Sequence, residues 1–119
     1  MIIAVDFDGV ITPNGHWPSA GEANKAVIEW LKELRKGGNK LILWTIRTGE
    51  ALETAVAFCQ EHGLEFDAVN KNVPEIIEYL GTDSRKVYAN FYIDDRAVCM
   101  EFKGGMDAVD EQIREMYGI

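Results

Sequence analysis

The sequence predicts an α/β protein built on a mainly parallel sheet with helices on both faces. Three observations carry that expectation. The apolar runs at residues 1–5 and 41–44 are continuous rather than alternating, as in strands covered on both sides. Between them lie stretches whose apolar residues recur at helical spacing. Clusters of Gly, Pro and Asn punctuate the two kinds of segment.

Residues 1–6 read as a short buried strand, and residues 9–21, GVITPNGHWPSAG, carry loop chemistry. A helix is expected over 22–36, with Ala23, Ala26, Val27, Trp30, Leu31 and Leu34 on one face and Gly37-Gly38 as its stop. The run LILW forms a second strand ending at Thr45. A second helix opens at Thr48 or Gly49 and reaches His62, with Gly63 just past its end. Residues 66–69 are a third strand, and Pro74 suits the first turn of a short helix ending near Leu80. A fourth strand is expected over 87–93, running into Asp94-Asp95. The last helix spans about 106–117, with Val109, Ile113 and Met116 facing inward.

With 119 residues the chain is expected to form one domain, residues 1–119. A formal net charge of −8 argues against a general nucleic-acid-binding surface, which relies on clustered Lys and Arg. It leaves room for a phosphorylated ligand, because one cation reverses the sign locally. Cys59 and Cys99 lack metal-ligand or redox spacing and read as inert, reduced thiols. The first apolar run is cut off by Asp6, so no signal peptide is expected, and no stretch approaches a membrane span. A cytoplasmic protein without membrane contact is the expectation.

In open parallel sheets, ligands bind beyond the carboxyl ends of the strands. Here three of the four predicted strands end in chemically loaded residues: Asp6 with Asp8, Thr45, and Asp94 with Asp95. Neighbouring strands lie about 4.8 Å apart, so carboxylates at adjacent strand ends can share a small cation.

In chain order the features are D-F-D-G-V at 6–10, a hydrophobic strand ending in Thr45, a lysine, and Y-I-D-D at 92–95. This order resembles the haloacid dehalogenase-like (HAD) superfamily over essentially the whole chain. The resemblance implies a Rossmann-like three-layer sandwich and a Mg²⁺-dependent phosphatase working through an aspartyl-phosphate. It gives Asp6 the role of nucleophile and metal ligand, and Asp8 that of general acid/base. Asp94 completes the metal shell with Asp6 and the Asp8 carbonyl, and Asp95 is a further ligand or supports one. Gly9 lets the backbone turn toward the phosphate, while Thr45 and the Ile46 N–H bind it. For the phosphate lysine, Lys71 is preferred to Lys86, which sits at the entry of its strand rather than at its carboxyl end.

Departures from the family pattern concern the substrate. Arg47 follows the second motif, where many relatives carry a small residue, and is a candidate substrate contact; a solvated pair with Glu50 is the plainer reading. His16 and Trp17 lie in the one loop that can act as a partial lid. The intervals 9–40 and 71–94 hold no second domain, so no cap domain is expected. An open site admits bulky phosphorylated substrates, or is closed by a neighbouring subunit in a homo-oligomer.

Two other classes compete. A Ca²⁺ loop starting at Asp6 would need an acidic ligand at its twelfth position, which is Trp17. A receiver-type signalling module places its paired acids first and its lysine last, whereas here the acid pair comes last. A non-catalytic relative is disfavoured because every chemical group is present.

Overall fold

The computed structural model describes residues 1–14, 16–99 and 105–118. Four parallel strands form the frame: β1 (Ile2–Val5), β2 (Lys40–Leu43), β3 (Ala68–Val69) and β4 (Phe91–Ile93), in the spatial order β3-β2-β1-β4. Four helices join and follow them: α1 (Lys25–Lys36), α2 (Gly49–Glu61), α3 (Pro74–Leu80) and α4 (Gly105–Tyr117). The architecture is the expected α/β, Rossmann-like layered fold, with a sheet that is wholly parallel.

Two apolar clusters cover the two faces of the sheet. On one face Ile3, Val5, Leu41 and Leu43 pack with Ile28 and Leu31 of α1 and with Ala55 and Cys59 of α2. On the other, Ala4, Ile42 and Ala68 meet Val73, Val87 and Ala89, with Ile76 of α3 alongside. Alternate residues of one strand therefore serve opposite layers, which explains the continuous apolar runs.

The helix boundaries follow from local chemistry. Asn24 caps α1 through its side chain, accepting from the Val27 N–H, so the helix starts three residues later than the periodicity suggested. Its buried residues are Ile28 and Leu31, while Trp30, expected in the core, is 50% exposed. Thr48 and His62 flank α2, and Gly63 follows with a positive φ of 72°. Pro74 opens α3, and Gly81 ends it in the left-handed conformation.

Two expected elements are shorter. The third strand is confined to Ala68–Val69 and the fourth to Phe91–Ile93. Residues 87–90 run as irregular chain because side chains take up their backbone groups. The Tyr92 hydroxyl serves Val87 O and Ala89 N, and Asn72 Oδ1 accepts from Tyr88 N. Asn90 ties this segment to β1 by pairing with both backbone groups of Ile2.

The last helix differs in its packing. Val109 is partly buried, but Ile113 and Met116, expected to face inward, are exposed. Gln112 holds the helix to the main body by bonding both N and O of Cys99. Cys99 is exposed, while Cys59 is buried and its thiol is pushed up to about 12. No helix among the described residues is long and apolar enough to cross a membrane.

Asn72 is fully buried and spends its amide on Asp83, Ser84 and Tyr88, holding the loop before α3 to the loop after it. Replacing Asn72 by Ala should lower the unfolding free energy by about 1–3 kcal/mol, the penalty for stranding buried partners, as measured by urea denaturation.

Candidate active site

The register of the sheet builds the site. Val5 lies opposite both Ile93 and Leu43, so the next residues, Asp6, Asp94 and Trp44, emerge side by side at the carboxyl edge. Asp6 N donates to Ile93 O and Trp44 N to Val5 O, which fixes these exits to one another. The result is a cleft of about 700 Å³, walled by Asp6, Asp8, Trp17, Thr45, Asp94 and Arg96 among others.

Asp6, Asp94 and Asp95 each offer a carboxylate oxygen, and these three atoms lie within 4.8 Å of one another. Burial pushes the Asp6 carboxyl up to about 6, and the charges of Asp94, Asp95 and Asp8 push the same way, against the bond from Phe7 N–H. Such a set of hard oxygen donors carries repulsion that a small divalent cation would relieve, so these residues could hold one. Nearby, Gly9 has φ +88°, and a Cβ there would come within 2.1 Å of Asp95 Oδ2. Glycine is required twice over, for the turn and for the close approach of Asp95.

The turn after β1 is closed by bonds from Val10, Ile11 and Thr12 N–H to Phe7 O and from Gly9 N–H to Thr12 O. Gly9 therefore shapes the loop, and its own N–H is committed within it. The N–H and carbonyl of Asp8 make no backbone bond among the described residues. That leaves the Asp8 carbonyl available to a cation and its N–H available to an anion.

Across the cleft, Thr45 and Ile46 form the second wall. Thr45 Oγ1 accepts from Arg47 N–H, keeping its own hydroxyl proton free to donate, and Ile46 N–H has no partner among the described residues. Asn70, at the end of β3 with φ 53°, braces this loop by accepting from Thr45 N and donating to Arg47 O. Sequence reading missed Asn70; its signal is the tolerance of Asn for left-handed backbone at a strand end.

Arg47 overturns the expected solvated pair with Glu50. Its side chain is 0% exposed, and all five guanidinium N–H groups find acceptors. Nε and Nη2 grip both oxygens of Asp8 at 2.9 and 2.8 Å, and the others reach Pro18 O, Ser19 O and Ala51 O. Its charge also lies 4.8 Å from the Phe7 ring centroid and 5.0 Å from that of Trp17. Arg47, read from sequence as one of a solvated pair or else a substrate contact, is thus an internal strut beneath Asp8.

Neither candidate lysine lines the cleft. Lys71 is exposed and close enough to Asp83 for its charge to be felt there; the Lys86 ammonium sits 5.2 Å from the Tyr92 ring centroid. Among the described residues the cation on the cleft wall is Arg96, directly after the acid pair, which sequence reading passed over. Its backbone N–H donates to Asp94 Oδ1. Of the two lid-loop candidates, Trp17 lines the cleft and His16 does not.

Three outcomes follow. Arg47→Met should destabilise the protein by about 1–3 kcal/mol, because it strands the carbonyls of Pro18, Ser19 and Ala51 and removes the partner of the partly buried Asp8 carboxylate; chemical denaturation measures it. The Asp6 carboxyl titrates near 6 when folded and near 3.8 when unfolded. The folded state therefore binds the extra proton between these values, and this contribution, full below about pH 4, is lost as pH rises through 6. In metal-free buffer the melting temperature of Asp6→Asn should gain on wild type from pH 4 to pH 7. Added Mg²⁺ should raise the wild-type melting temperature at pH 7.5 more than at pH 5, since it must displace that proton.

No family model matches the chain, and no curated protein matches it. Among solved structures, a conserved protein coded by a locus of Bacteroides thetaiotaomicron superposes with a TM-score of 0.72. It shares 43% identity, and the match covers 97% of this chain and 90% of that one. At that identity over nearly its full length, the chain belongs to the same family as this conserved protein.

Proposed function

We propose that the chain is a Mg²⁺-dependent phosphatase of the HAD type, without a cap domain, that hydrolyses a phosphate monoester through an aspartyl-phosphate on Asp6. One observation carries this reading. Three carboxylates from the ends of two adjacent parallel strands converge within 4.8 Å, facing a loop that offers a hydroxyl and an N–H. The motif order DFDGV, LILWT and YIDD, with its resemblance to the HAD superfamily, supports the same assignment.

A bound Mg²⁺, held by Asp6, Asp94 and Asp95 with the Asp8 carbonyl, would neutralise charge on the phosphoryl oxygens and the acid cluster. The chain's own groups do the rest. An Asp6 oxygen attacks phosphorus, the ester P–O bond breaks, and the leaving oxygen takes a proton from Asp8. Water then attacks the phosphorus, gives its proton to the Asp8 carboxylate, and the bond to Asp6 breaks as phosphate departs. Thr45 O–H and the Ile46 and Asp8 N–H groups hold the phosphoryl oxygens, and Arg96 supplies the positive charge that a lysine was expected to give. Arg47 fixes where the Asp8 carboxylate stands, as a positioning residue rather than a catalytic one.

Purified protein should release phosphate from a panel of monoesters only with Mg²⁺ present, and chelation should abolish release. Asp6→Asn should fall below detection, and Asp8→Asn should lower kcat by about 10²–10⁴, the usual worth of general acid–base catalysis. Steady-state phosphate release measures all three. Silence across the panel, or a stable phosphoaspartate with no phosphate released, would overturn the reading.

A further inference from the structure

We propose that the cleft is built for a phosphate monoester whose alcohol portion carries a planar aromatic group, with Trp17 and Trp44 as its ring contacts. The inference rests on the phosphatase reading for the placement of the phosphate, and goes beyond it by naming what the rest of the cleft binds.

The first argument is size. A volume of about 700 Å³ falls in the range of sites that hold a whole organic ligand, about 300–1,000 Å³, and a phosphate group alone occupies a small part of it. The second is the division of the walls. The acids and Arg96 lie along the β1 and β4 exits, and beyond Gly9 and the Thr45 hydroxyl the remaining lining is apolar: Pro13, Trp17, Trp44 and Ile46. Ile46 is 89% exposed and Trp17 57% exposed, so an apolar surface is presented at the cleft with no covering element among the described residues.

The third argument is how Trp17 is mounted. Its ring rests against the buried Arg47 guanidinium, whose N–H groups also bond the carbonyls of the next two residues, Pro18 and Ser19. Trp17 belongs to neither apolar cluster, whereas Trp44 backs onto the cluster that holds Ile42 and Val73. A large ring held in place by a fully bonded cation, yet left half open toward a cleft, has the character of a platform whose ordering cost is already met. Aromatic rings stack on such platforms whatever their edge pattern.

Charge narrows the ligand further. With a net charge of −8 and one cationic side chain on the described cleft wall, the site suits a single phosphate and a neutral remainder rather than an extended polyanion.

Adenosine 5′-monophosphate and ribose 5-phosphate test this, since they share the phosphate ester and differ in the ring system. Intrinsic tryptophan fluorescence, titrated at saturating Mg²⁺, and steady-state hydrolysis are measured for both. The nucleotide should show a Kd and KM at least about tenfold lower, in line with the stacking of one base. Trp17→Ala should pull that ratio toward one, Trp17→Phe should keep most of it, and Trp30→Phe, on the remote face of α1, should leave it intact. Equal affinity for the two esters, an unchanged ratio in Trp17→Ala, or saturation by neither overturns the inference. Preferential nucleotide binding that Trp17→Ala removes would support this inference even where neither ester is hydrolysed, the phosphatase reading being decided by the monoester panel. Equal hydrolysis of both would overturn this inference and leave the phosphatase reading standing.

Discussion

The buried guanidinium of Arg47 is the interaction on which the rest of the site depends. A charged group with no solvent exposure survives only if every N–H is paired and the charge is balanced. Here the balance comes from Asp8, and the remaining bonds go to carbonyls at 18, 19 and 51. One side chain therefore joins the turn after β1, the 13–21 loop and the first turn of α2. None of these three could shift alone without stranding a donor, so the geometry of the cleft wall follows from the hydrogen-bond requirements of a single residue.

The acid cluster poses the opposite problem. Asp6, Asp94 and Asp95 repel one another, and the strand ends that carry them cannot move apart without breaking the ladder between β1 and β4. The fold thus holds three carboxylates closer than they would choose, and Gly9 allows it by giving up its own side chain to Asp95. Such enforced crowding is a feature of functional sites, where the strain of the empty arrangement becomes affinity for whatever neutralises it.

The acid end of the cleft and its apolar end are distinct in origin. The carboxylates sit at strand ends, where sheet register fixes them to within a hydrogen bond. Trp17 and Pro13 sit on a loop that Arg47 ties down through the carbonyls of Pro18 and Ser19. A rigid frame thus carries the acid cluster, and a loop strapped to that frame supplies the shape of the cleft.

Much of this was legible in the chain. The order of strands and helices, the glycine stops, Pro74 at the start of α3 and the carboxylates at the strand ends all follow from short-range signals: apolar periodicity, caps and turn residues. They depend on neighbours within a few positions, so the sequence determines them directly. What needed the tertiary structure depends on partners far along the chain. Arg47 finds Asp8 across 39 positions and is buried where local pattern makes it solvated. Arg96, rather than Lys71 or Lys86, faces the cleft because the β1–β4 register sets which residues follow the acids into it. Ile113 and Met116 stay exposed because α4 is held through Gln112, and an apolar stripe alone does not say what it packs against. Local preference writes the elements; which charge is buried and which faces the ligand is decided only when distant segments compete for the same hydrogen bonds.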